Sequence, residues 1–295
     1  MTATILREIP LALPSASGVE IIGSTAYVIA DDAPFLYLLD AETLAATGQV
    51  QLFETTDFVA GRLPKLLKPD LEAMTACTWP GRGYGLLLLG SGSAPQRRVG
   101  YWVPLPAQSN VLVQQLDLGP LYAAAEAACP PGTLLNIEAA AATETALLLL
   151  HRGVGAGATA LVLCWPLAVA LSYVLGAGTA PAPLVQAFSM PEIAGCPAGF
   201  SGAAFADGLL WVTASVENTH DPVLDGEVLG SFVGVVDLAT GTARFTRLAW
   251  ADGRAYRGKV EGLAFRSGGD LLLVTDDDAG GSTGLVVLIK ADNLP

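Results

Sequence analysis

Short apolar runs alternate with polar turns along the whole chain. The runs are rich in Val, Ile, Leu, Phe and Tyr, and the segments between them contain Gly, Asp, Pro and Thr. Runs of this length and composition, bounded by turn residues, predict β-strands. They fall into groups of four, the first of which covers residues 19–23, 26–30, 35–39 and 48–53. The next groups cover 71–77, 85–89, 99–103 and 111–116; then 137–142, 146–150, 160–165 and 184–188; then 201–205, 209–214, 232–238 and 244–250. The last group has only three runs, at 261–265, 271–275 and 284–290.

Each group begins with a copy of one short motif. Its clearest form is Lys259-Val-Glu-Gly-Leu-Ala-Phe265, and weaker copies lie at residues 199–205, 136–140, 70–74 and 18–22. All copies but one place a glutamate at the head of an apolar run, and the exception has a serine. These head residues are Glu20, Glu72, Glu138, Ser201 and Glu261. An interval of about 60 residues between copies predicts a repeat architecture in which each group is one structural unit.

The strand missing from the last group is found at the other end of the chain. Residues 5–13 precede the first copy of the motif and resemble the fourth run of the other groups. If this strand joins the last group, the termini meet in one sheet and the ring closes, as in a β-propeller. We therefore predict an all-β fold, a five-bladed β-propeller, as one domain over residues 1–295. Six shorter blades are the alternative, because blades of about 45 residues are more common.

Two inserts depart from the repeat. Residues 119–129 are rich in alanine with a proline near the start, which predicts a short helix between the second and third blades. Residues 168–183 form an Ala/Gly/Pro-rich excursion, which we interpret as an apolar loop packed on a face or against a partner. The uncharged stretch 154–185 is long enough to cross a membrane. However, Pro166 interrupts it and its first part fits the strand pattern, so we predict no membrane span.

The composition narrows the class of partner. The chain has 15 Lys and Arg against 28 Asp and Glu, a net charge of -13, which disfavours nucleic acid. The same charge is compatible with a cation, a cationic ligand or simple solubility. Cys77, Cys129, Cys164 and Cys196 lie far apart, without the spacing of a zinc site. No signal peptide is visible, which predicts a cytoplasmic protein, although a trimmed chain from a periplasmic or secreted protein would look the same.

The propeller geometry gathers the polar residues at one place. The first strand of each blade lines the central channel, so the five head residues converge near the axis. Loops between the second and third strands open on the same face. They add Asp31 and Asp32, Ser91 and Ser93, His151 and Arg152, Ser215, Glu217 and Asn218, and the acidic run 276–278.

Several carboxylates in one channel require compensation, because like charges and burial both raise the pKa of a carboxyl group. A hard cation such as calcium is one solution, with Glu20, Glu72, Glu138, Glu261, Asp31 and Asp276 as its candidate ligands. Basic side chains are another, and Lys68, Arg98, Arg152, Arg257 and Lys259 precede or face the ring. Backbone N–H groups of a neighbouring blade are the third, which would make each glutamate a structural staple.

Candidate roles follow from residue type. His151 and Arg152 are the candidate catalytic residues, since an imidazole at a loop mouth can act as a general acid or base; a hydrogen-bonded rim residue is the alternative for His151. The candidate ligand-binding residues are Lys68, Arg98, Ser201, Glu217, Asn218 and Lys259. The glycine-rich stretches at 90–93 and 151–157 each follow a strand without opening a helix, so neither predicts a phosphate-binding loop.

Val260-Glu-Gly-Leu-Ala264 and Asp70-Leu-Glu-Ala-Met74 resemble the propeller group of the phytase-like (esterase-like) and SdiA-regulated proteins. The repeat is more distantly similar to the gluconolactonase and strictosidine-synthase propellers. Glu72, Glu138 and Glu261 match the motif, Glu20 matches only in its glutamate, and Ser201 does not match. The resemblance implies a polar channel that often holds calcium, and in some members hydrolysis of esters, lactones or phosphoesters.

Three functional hypotheses remain open at this point. The first is a metal-assisted, calcium-dependent hydrolase of a small ester, lactone or phosphoester. The second is a non-catalytic propeller that binds a small-molecule ligand or a partner on the same face. The third is a structural or assembly protein that uses the excursion at residues 168–183 as its contact.

Overall fold

The computed structural model describes residues 1–59, 61–108, 110–153, 159–176, 178–218, 226–277 and 281–290. Its strands form five blades of four strands each, and the innermost strands of neighbouring blades contact one another in cyclic order. The protein is therefore a five-bladed β-propeller, as the sequence predicts. No helix in the described part is long and apolar enough to span a membrane.

The strands are numbered in chain order. The N-terminal strand β1 (Thr2–Leu11) belongs to the last blade. Blade 1 contains β2 (Ala16–Ile22), β3 (Thr25–Ala30), β4 (Phe35–Asp40) and β5 (Ala46–Gln51). Blade 2 contains β6 (Leu71–Trp79), β7 (Gly83–Gly90), β8 (Val99–Pro104) and β9 (Gln114–Asp117). Blade 3 contains β10 (Ile137–Ala142), β11 (Ala146–His151), β12 (Ala160–Pro166) and β13 (Leu184–Phe188).

A two-stranded hairpin precedes the fourth blade, formed by β14 (Glu192–Ile193) and β15 (Cys196–Pro197). Blade 4 contains β16 (Gly199–Ala206), β17 (Leu209–Asn218), β18 (Glu227–Asp237) and β19 (Thr242–Trp250). Blade 5 contains β20 (Lys259–Phe265), β21 (Leu271–Asp276), β22 (Ser282–Lys290) and, as its outermost strand, β1.

Ring closure occurs at the predicted place. Strand β1 pairs antiparallel with β22, with Thr2 opposite Lys290 and Leu11 opposite Ser282. The other edge of β1 pairs in parallel with β19, where Ala3 lies opposite Leu248. This second pairing joins blades 4 and 5 into one eight-stranded sheet. It covers sheet edges that would otherwise expose unpaired backbone groups.

The first insert forms the predicted helix, α1 (Gly119–Ala128), between blades 2 and 3. The second insert differs from the predicted loop, because it begins with a short helix, α2 (Leu167–Tyr173). Leu121 of α1 and Leu171 of α2 are buried in the same apolar cluster as Trp165. The apolar residues of α2 thus pack inside the propeller, where burial of each large side chain contributes about 1.5–3 kcal/mol to stability.

Each innermost strand carries a β-bulge at the equivalent position. The extra residue of each bulge, which has no direct partner on the second strand, is Ser17, Glu72, Glu138, Ser201 or Glu261. A bulge interrupts the alternation of a strand and re-aims a side chain. The prediction that Glu20 belongs to the ring is therefore wrong, because Ser17 occupies the bulge position of blade 1. Glu20 lies three positions further along β2.

The residue after each bulge lies where neighbouring blades approach most closely. It is Gly18, Ala73, Ala139, Gly202 or Gly262. A Cβ atom on Gly202 would lie 2.9 Å from Cα of Gly262 and 2.5 Å from Oγ1 of Thr213. The small side chain is therefore required by the approach of the backbone and not by a turn.

We expect Gly202→Ala to destabilise the fold by about 1–3 kcal/mol, because an added methyl group overpacks the contact between blades 4 and 5. Gly268→Ala is the matched control, since nothing lies within 4 Å of its Cβ position. It should leave stability unchanged or raise it by up to about 1 kcal/mol. Urea unfolding of both variants measures the difference, and equal midpoints would show that the close approach has no energetic weight.

Candidate functional site

A polar cavity of about 330 Å³ lies where the second strands of the blades end and the innermost strands begin. Its lining includes cationic side chains from Arg62, Lys65, Lys68, Arg97, Arg152 and Lys259. It also includes carboxyl groups from Asp31, Asp32, Asp70, Glu72, Glu138 and Asp276, and the remaining residues are Leu63, Ser93 and Asn136. A second, much smaller cavity of about 10 Å³ lies among the bulge residues and the residues that follow them, which is room for about one water molecule.

One ion-pair network covers the side of the cavity formed by blades 1 and 2. The Lys68 ammonium contacts the carboxylate of Asp31 and lies 2.9 Å from Oδ1 of Asp70. Arg97 Nη1 lies 2.7 Å from Oδ2 of Asp70, and the Ser91 hydroxyl donates to the same oxygen at 2.5 Å. Asp70 thus receives three donors, and its backbone is held at a φ of 57°. Such a conformation costs energy for a residue with a side chain and persists where the surroundings fix it.

A second network links blades 3, 4 and 5. Arg152 bridges two carboxylates, with Nη1 3.2 Å from Glu138 and Nη2 2.6 Å from Glu217. The Lys259 ammonium lies 3.3 Å from Glu217 and 2.8 Å from Glu261. The two cations hold the pKa of Glu217 below its usual range, even though burial opposes them. Burial raises the pKa of Glu261 to about 8, while Lys259 pulls it down.

Glu72 lies between the two networks and belongs to neither. No residue that the structure describes donates a hydrogen bond to its carboxyl group or forms an ion pair with it. Burial raises the pKa of Glu72 well above its ordinary value, and the nearby carboxylates of Asp70, Glu138 and Asp31 raise it further. Lys68 is the cation that opposes this shift. Burial and the neighbouring carboxylates thus both favour the neutral, protonated form of this carboxyl group.

Two neighbouring carboxylates are also incompletely paired. Burial raises the pKa of Asp31 to about 6, against the pull of Lys68. Its Oδ1 atom is buried without a hydrogen-bond partner, as is the Oδ1 atom of Asp32. The Oδ2 atom of Asp32 is bonded to Arg62, and Asp32 itself is only 2% exposed. Asp31, Asp32 and Glu72 therefore each keep a carboxyl oxygen to which no described residue donates a hydrogen bond.

Several predicted site residues lie in this cavity and others do not. The predicted residues that line the cavity or form ion pairs with its lining are Lys68, Arg152, Lys259, Glu217, Asp31, Asp276, Glu72, Glu138 and Glu261. Ser201 is fully buried below it, where its hydroxyl donates to Oγ1 of Thr213 at 3.2 Å. Ser201, a candidate ligand-binding residue, therefore does not reach the cavity.

Arg98 and Asn218 also lie elsewhere. Arg98 pairs with Glu126 of helix α1. Asn218, at the end of β17, accepts a hydrogen bond from the Cys196 thiol at 3.6 Å. The predicted basic residue Arg257 is exposed and does not line the cavity. Of the acidic run 276–278, residue 278 lies outside the described residues.

His151 is buried in the sheet and not at a loop mouth. It is 3% exposed, and its Nδ1 atom accepts a hydrogen bond from the Asn136 backbone N–H at 3.1 Å. Burial lowers its pKa, which favours the neutral imidazole. His151 does not line the cavity, so its predicted role as a general acid or base has no support in the geometry.

Several residues that line the cavity were not predicted from the sequence. Asp70 and Asn136 stand two positions before Glu72 and Glu138, as Lys259 stands before Glu261. This shared offset is a signal that could have identified them. Arg97 replaces the predicted Arg98 because a 3-10 turn, Pro95–Arg97, reverses the chain there. Arg62 lies in the long connection between blades 1 and 2, where no pattern points to the channel.

Glu20 fits the structural-staple interpretation. Its carboxyl accepts a hydrogen bond from the Ala76 backbone N–H at 3.0 Å and so ties blade 1 to blade 2. The hydroxyl of Thr75 also bonds to it and in turn accepts from the Ala142 N–H of blade 3 at 2.9 Å. Burial raises the pKa of Glu20 to about 7.

We expect Glu20→Gln to be more stable than the wild type at about pH 8, by up to about 3 kcal/mol. Because the folded pKa is raised, the wild type loses stability as pH rises from the unfolded pKa of about 4.5 to about 7, and the amide does not. The difference should vanish near pH 4. Urea unfolding across this range measures it, with exposed Glu144→Gln as control. Parallel pH profiles for Glu20→Gln and wild type would contradict the assignment.

Comparison with known proteins places the chain in a family. Residues 12–289 match the family of unknown function DUF6929, and the chain belongs to that family. No curated protein matches it. Glutaminyl cyclase from Myxococcus xanthus is similar in structure, with 12% identity, a TM-score of 0.53 and 98% of each chain covered. The WD40 domain of Neurospora crassa Pan2 is similar at 8% identity and a TM-score of 0.40, over 92% of this chain and 89% of that one. At 12% identity the likeness to the glutaminyl cyclase supports the fold alone.

Proposed function

We propose that this member of the DUF6929 family is a hydrolase of a small, strongly polar molecule that binds in the charged cavity. The observation that carries the proposal is Glu72, a carboxyl group without an ion-pair partner inside a ring of paired charges. A carboxyl with a strongly perturbed pKa in a cleft is typical of a catalytic acid or base. The raised pKa leaves Glu72 a proton that it can give to a leaving group.

The cavity selects for size and polarity. Its volume of about 330 Å³ lies at the lower end of the range of roughly 300–1,000 Å³ for small-molecule sites. Among the described residues of its lining, Leu63 is the one apolar side chain and none is aromatic. A small ester, lactone or phosphoester that carries hydroxyl, carboxylate or phosphate groups suits this lining. A large or aromatic ligand does not.

The chain's own residues supply both proton transfers of a hydrolysis. Glu138 accepts hydrogen bonds from Arg152 and from the Asn136 side-chain amide, whose Nδ2 lies 2.6 Å away. It is placed to take a proton from the attacking water as the new bond to carbon or phosphorus forms. Glu72 gives its proton to the leaving oxygen as the old bond breaks. Lys68, which already opposes the raised pKa of Glu72, stabilises the carboxylate that results.

The calcium ion implied by the resemblance does not fit these residues as they stand. Asp31, Asp70 and Glu72 bring one oxygen each within 4.8 Å of one another, which is a set that a hard cation prefers. However, Lys68 already contacts Asp31 and Asp70, and Arg97 contacts Asp70 as well. Calcium takes roughly 6–8 oxygen ligands, and two of these three carboxylates are already engaged. No step of the proposed reaction requires the ion.

A substrate panel tests the proposal. The purified protein is incubated with small phosphoesters, carboxylic esters and lactones that carry charged or hydroxyl groups, with and without a chelator. We expect turnover of a small charged member, inhibition by its product, and no loss of rate with the chelator. Retention of an intact ligand without turnover would instead identify a binding protein and contradict the hydrolase proposal.

A further inference from the structure

We infer that the Lys68 ammonium is the resident cation of the site and lies where Asp31, Asp70 and Glu72 could otherwise hold a divalent metal ion. The inference concerns the charge of the cavity and does not rest on the proposed hydrolysis. It assigns Lys68 a role that its position in a loop does not reveal. It also predicts that removing this one side chain converts the cavity into a metal site.

The position of Lys68 supports this role. Its side chain is only 13% exposed. The ammonium contacts Asp31 and Asp70, two of the carboxylates that would ligate a metal ion. Its backbone is held in a turn, because the Lys68 N–H donates to the carbonyl of Pro64 at 3.1 Å. Pro69 follows directly and restricts the backbone further. The ammonium is thus placed by a rigid segment, as a bound ion would be placed by its ligands.

The balance of charges supports it independently. The carboxylates of Asp31 and Asp70 already contact two cations, Lys68 and Arg97. A divalent ion added beside Lys68 would therefore bring positive charge that these two carboxylates do not compensate. Without Lys68 this pair of carboxylates loses one cation, and the oxygens of Asp31, Asp70 and Glu72, which lie within 4.8 Å of one another, become available to an added ion. In addition, Oδ1 of Asp32, a residue 2% exposed in the same lining, is buried without a hydrogen-bond partner.

Chemistry also distinguishes the two kinds of cation. A lysine ammonium presents three donors to carboxylate oxygens and carries one charge on a flexible stem. Because the ammonium is covalently part of the chain, it stays beside its carboxylates at any concentration of metal ions. A cavity with such a cation keeps its charge distribution when calcium varies in the surroundings.

The test is a calcium titration of the whole protein by calorimetry, with terbium luminescence as a second readout and no substrate present. We expect Lys68→Met to bind one calcium ion at least about 100-fold more tightly than the wild type, because a like charge close to the ion is removed. Lys290→Met is the matched control, since it removes the same charge from the exposed end of β22 and should bind calcium as the wild type does.

Two results would overturn the inference. One is tight, stoichiometric calcium binding by the wild type, which shows that Lys68 does not exclude the ion. The other is a folded Lys68→Met that gains no affinity. Lys68→Gln provides a second variant if Lys68→Met does not fold. Since these titrations need no substrate, their outcome is separate from success or failure of the hydrolysis assay.

Discussion

Glu72→Gln is expected to lower kcat for the substrate found in the panel by at least about 100-fold, because general acid catalysis typically contributes 10²–10⁴-fold. Glutamine has nearly the same shape and keeps the polar contacts of a neutral carboxylic acid, but it cannot release a proton to a leaving oxygen. The substrate should therefore still bind, and the loss should appear in kcat and not in KM. Steady-state kinetics of both proteins at the same pH measures the split.

Glu20→Gln is the matched control for this experiment. It makes the same chemical change in a glutamate whose pKa is also raised, to about 7, but which lies outside the cavity. Its kcat should stay within about twofold of the wild type, since Glu20 does not line the cavity and takes no part in the proposed proton transfers. A Glu72→Gln variant with unchanged kcat would show that the proton comes from another group.

Arg152→Met is expected to destabilise the protein by about 3–5 kcal/mol near neutral pH, the usual cost of removing one partner of a buried ion pair. Arg152 is 9% exposed and holds Glu138 and Glu217, which are 5% and 6% exposed. Methionine fills much of the same volume but leaves these carboxylates with less compensation. Lys259 still reaches Glu217, so the greater share of the loss falls on Glu138. Urea unfolding gives the free energy of unfolding directly.

The control for Arg152 is Arg254→Met. Arg254 forms an ion pair with Asp252 at 3.8 Å, in which both side chains are more than half exposed. Exposed pairs of this kind contribute about 0–1 kcal/mol. The loss in Arg152→Met should also shrink at lower pH, since carboxyl groups without a buried cation take up protons in the folded state. Equal losses in the two variants would show that the buried network does not stabilise the fold.

The fold could be predicted from the sequence because its pattern repeats. The glutamate motif marked each innermost strand, and residues 5–13 supplied the strand that closes the ring. What the pattern could not show is pairing at the bulges. In blade 1, Ser17-Gly18 and Glu20-Ile21 both offer a polar head before an apolar run. Only the register of β2 against β3 decides in favour of Ser17.

The site could be predicted where it follows from the repeat. Glu72, Glu138 and Glu261 share the bulge position, and Arg152 follows directly on the second strand of its blade. Errors arose where a shift of one residue reverses the direction of a side chain. Arg97 and Arg98 are neighbours, yet one pairs with Asp70 and the other with Glu126. His151 and Arg152 differ in the same way, because His151 still belongs to β11.

The parts contributed by long connections had no sequence signal. Arg62 and Lys65 reach the cavity from the segment between blades 1 and 2, which carries no repeat. Lys68, from the same segment, was predicted only because it precedes the second copy of the motif. Such loops are positioned by the contacts they make after folding, and these contacts depend on residues far away in sequence.

The proposed function depends on Glu72 being a neutral acid in a ring of paired charges. Carboxyl ¹³C NMR of glutamate-labelled protein, compared with the same spectrum of Glu72→Gln, isolates its resonance and follows it with pH. We expect a pKa well above the ordinary value of 4.5, so that the group is still protonated when exposed glutamates are ionised. Titration of that resonance at or below about 4.5 would contradict it.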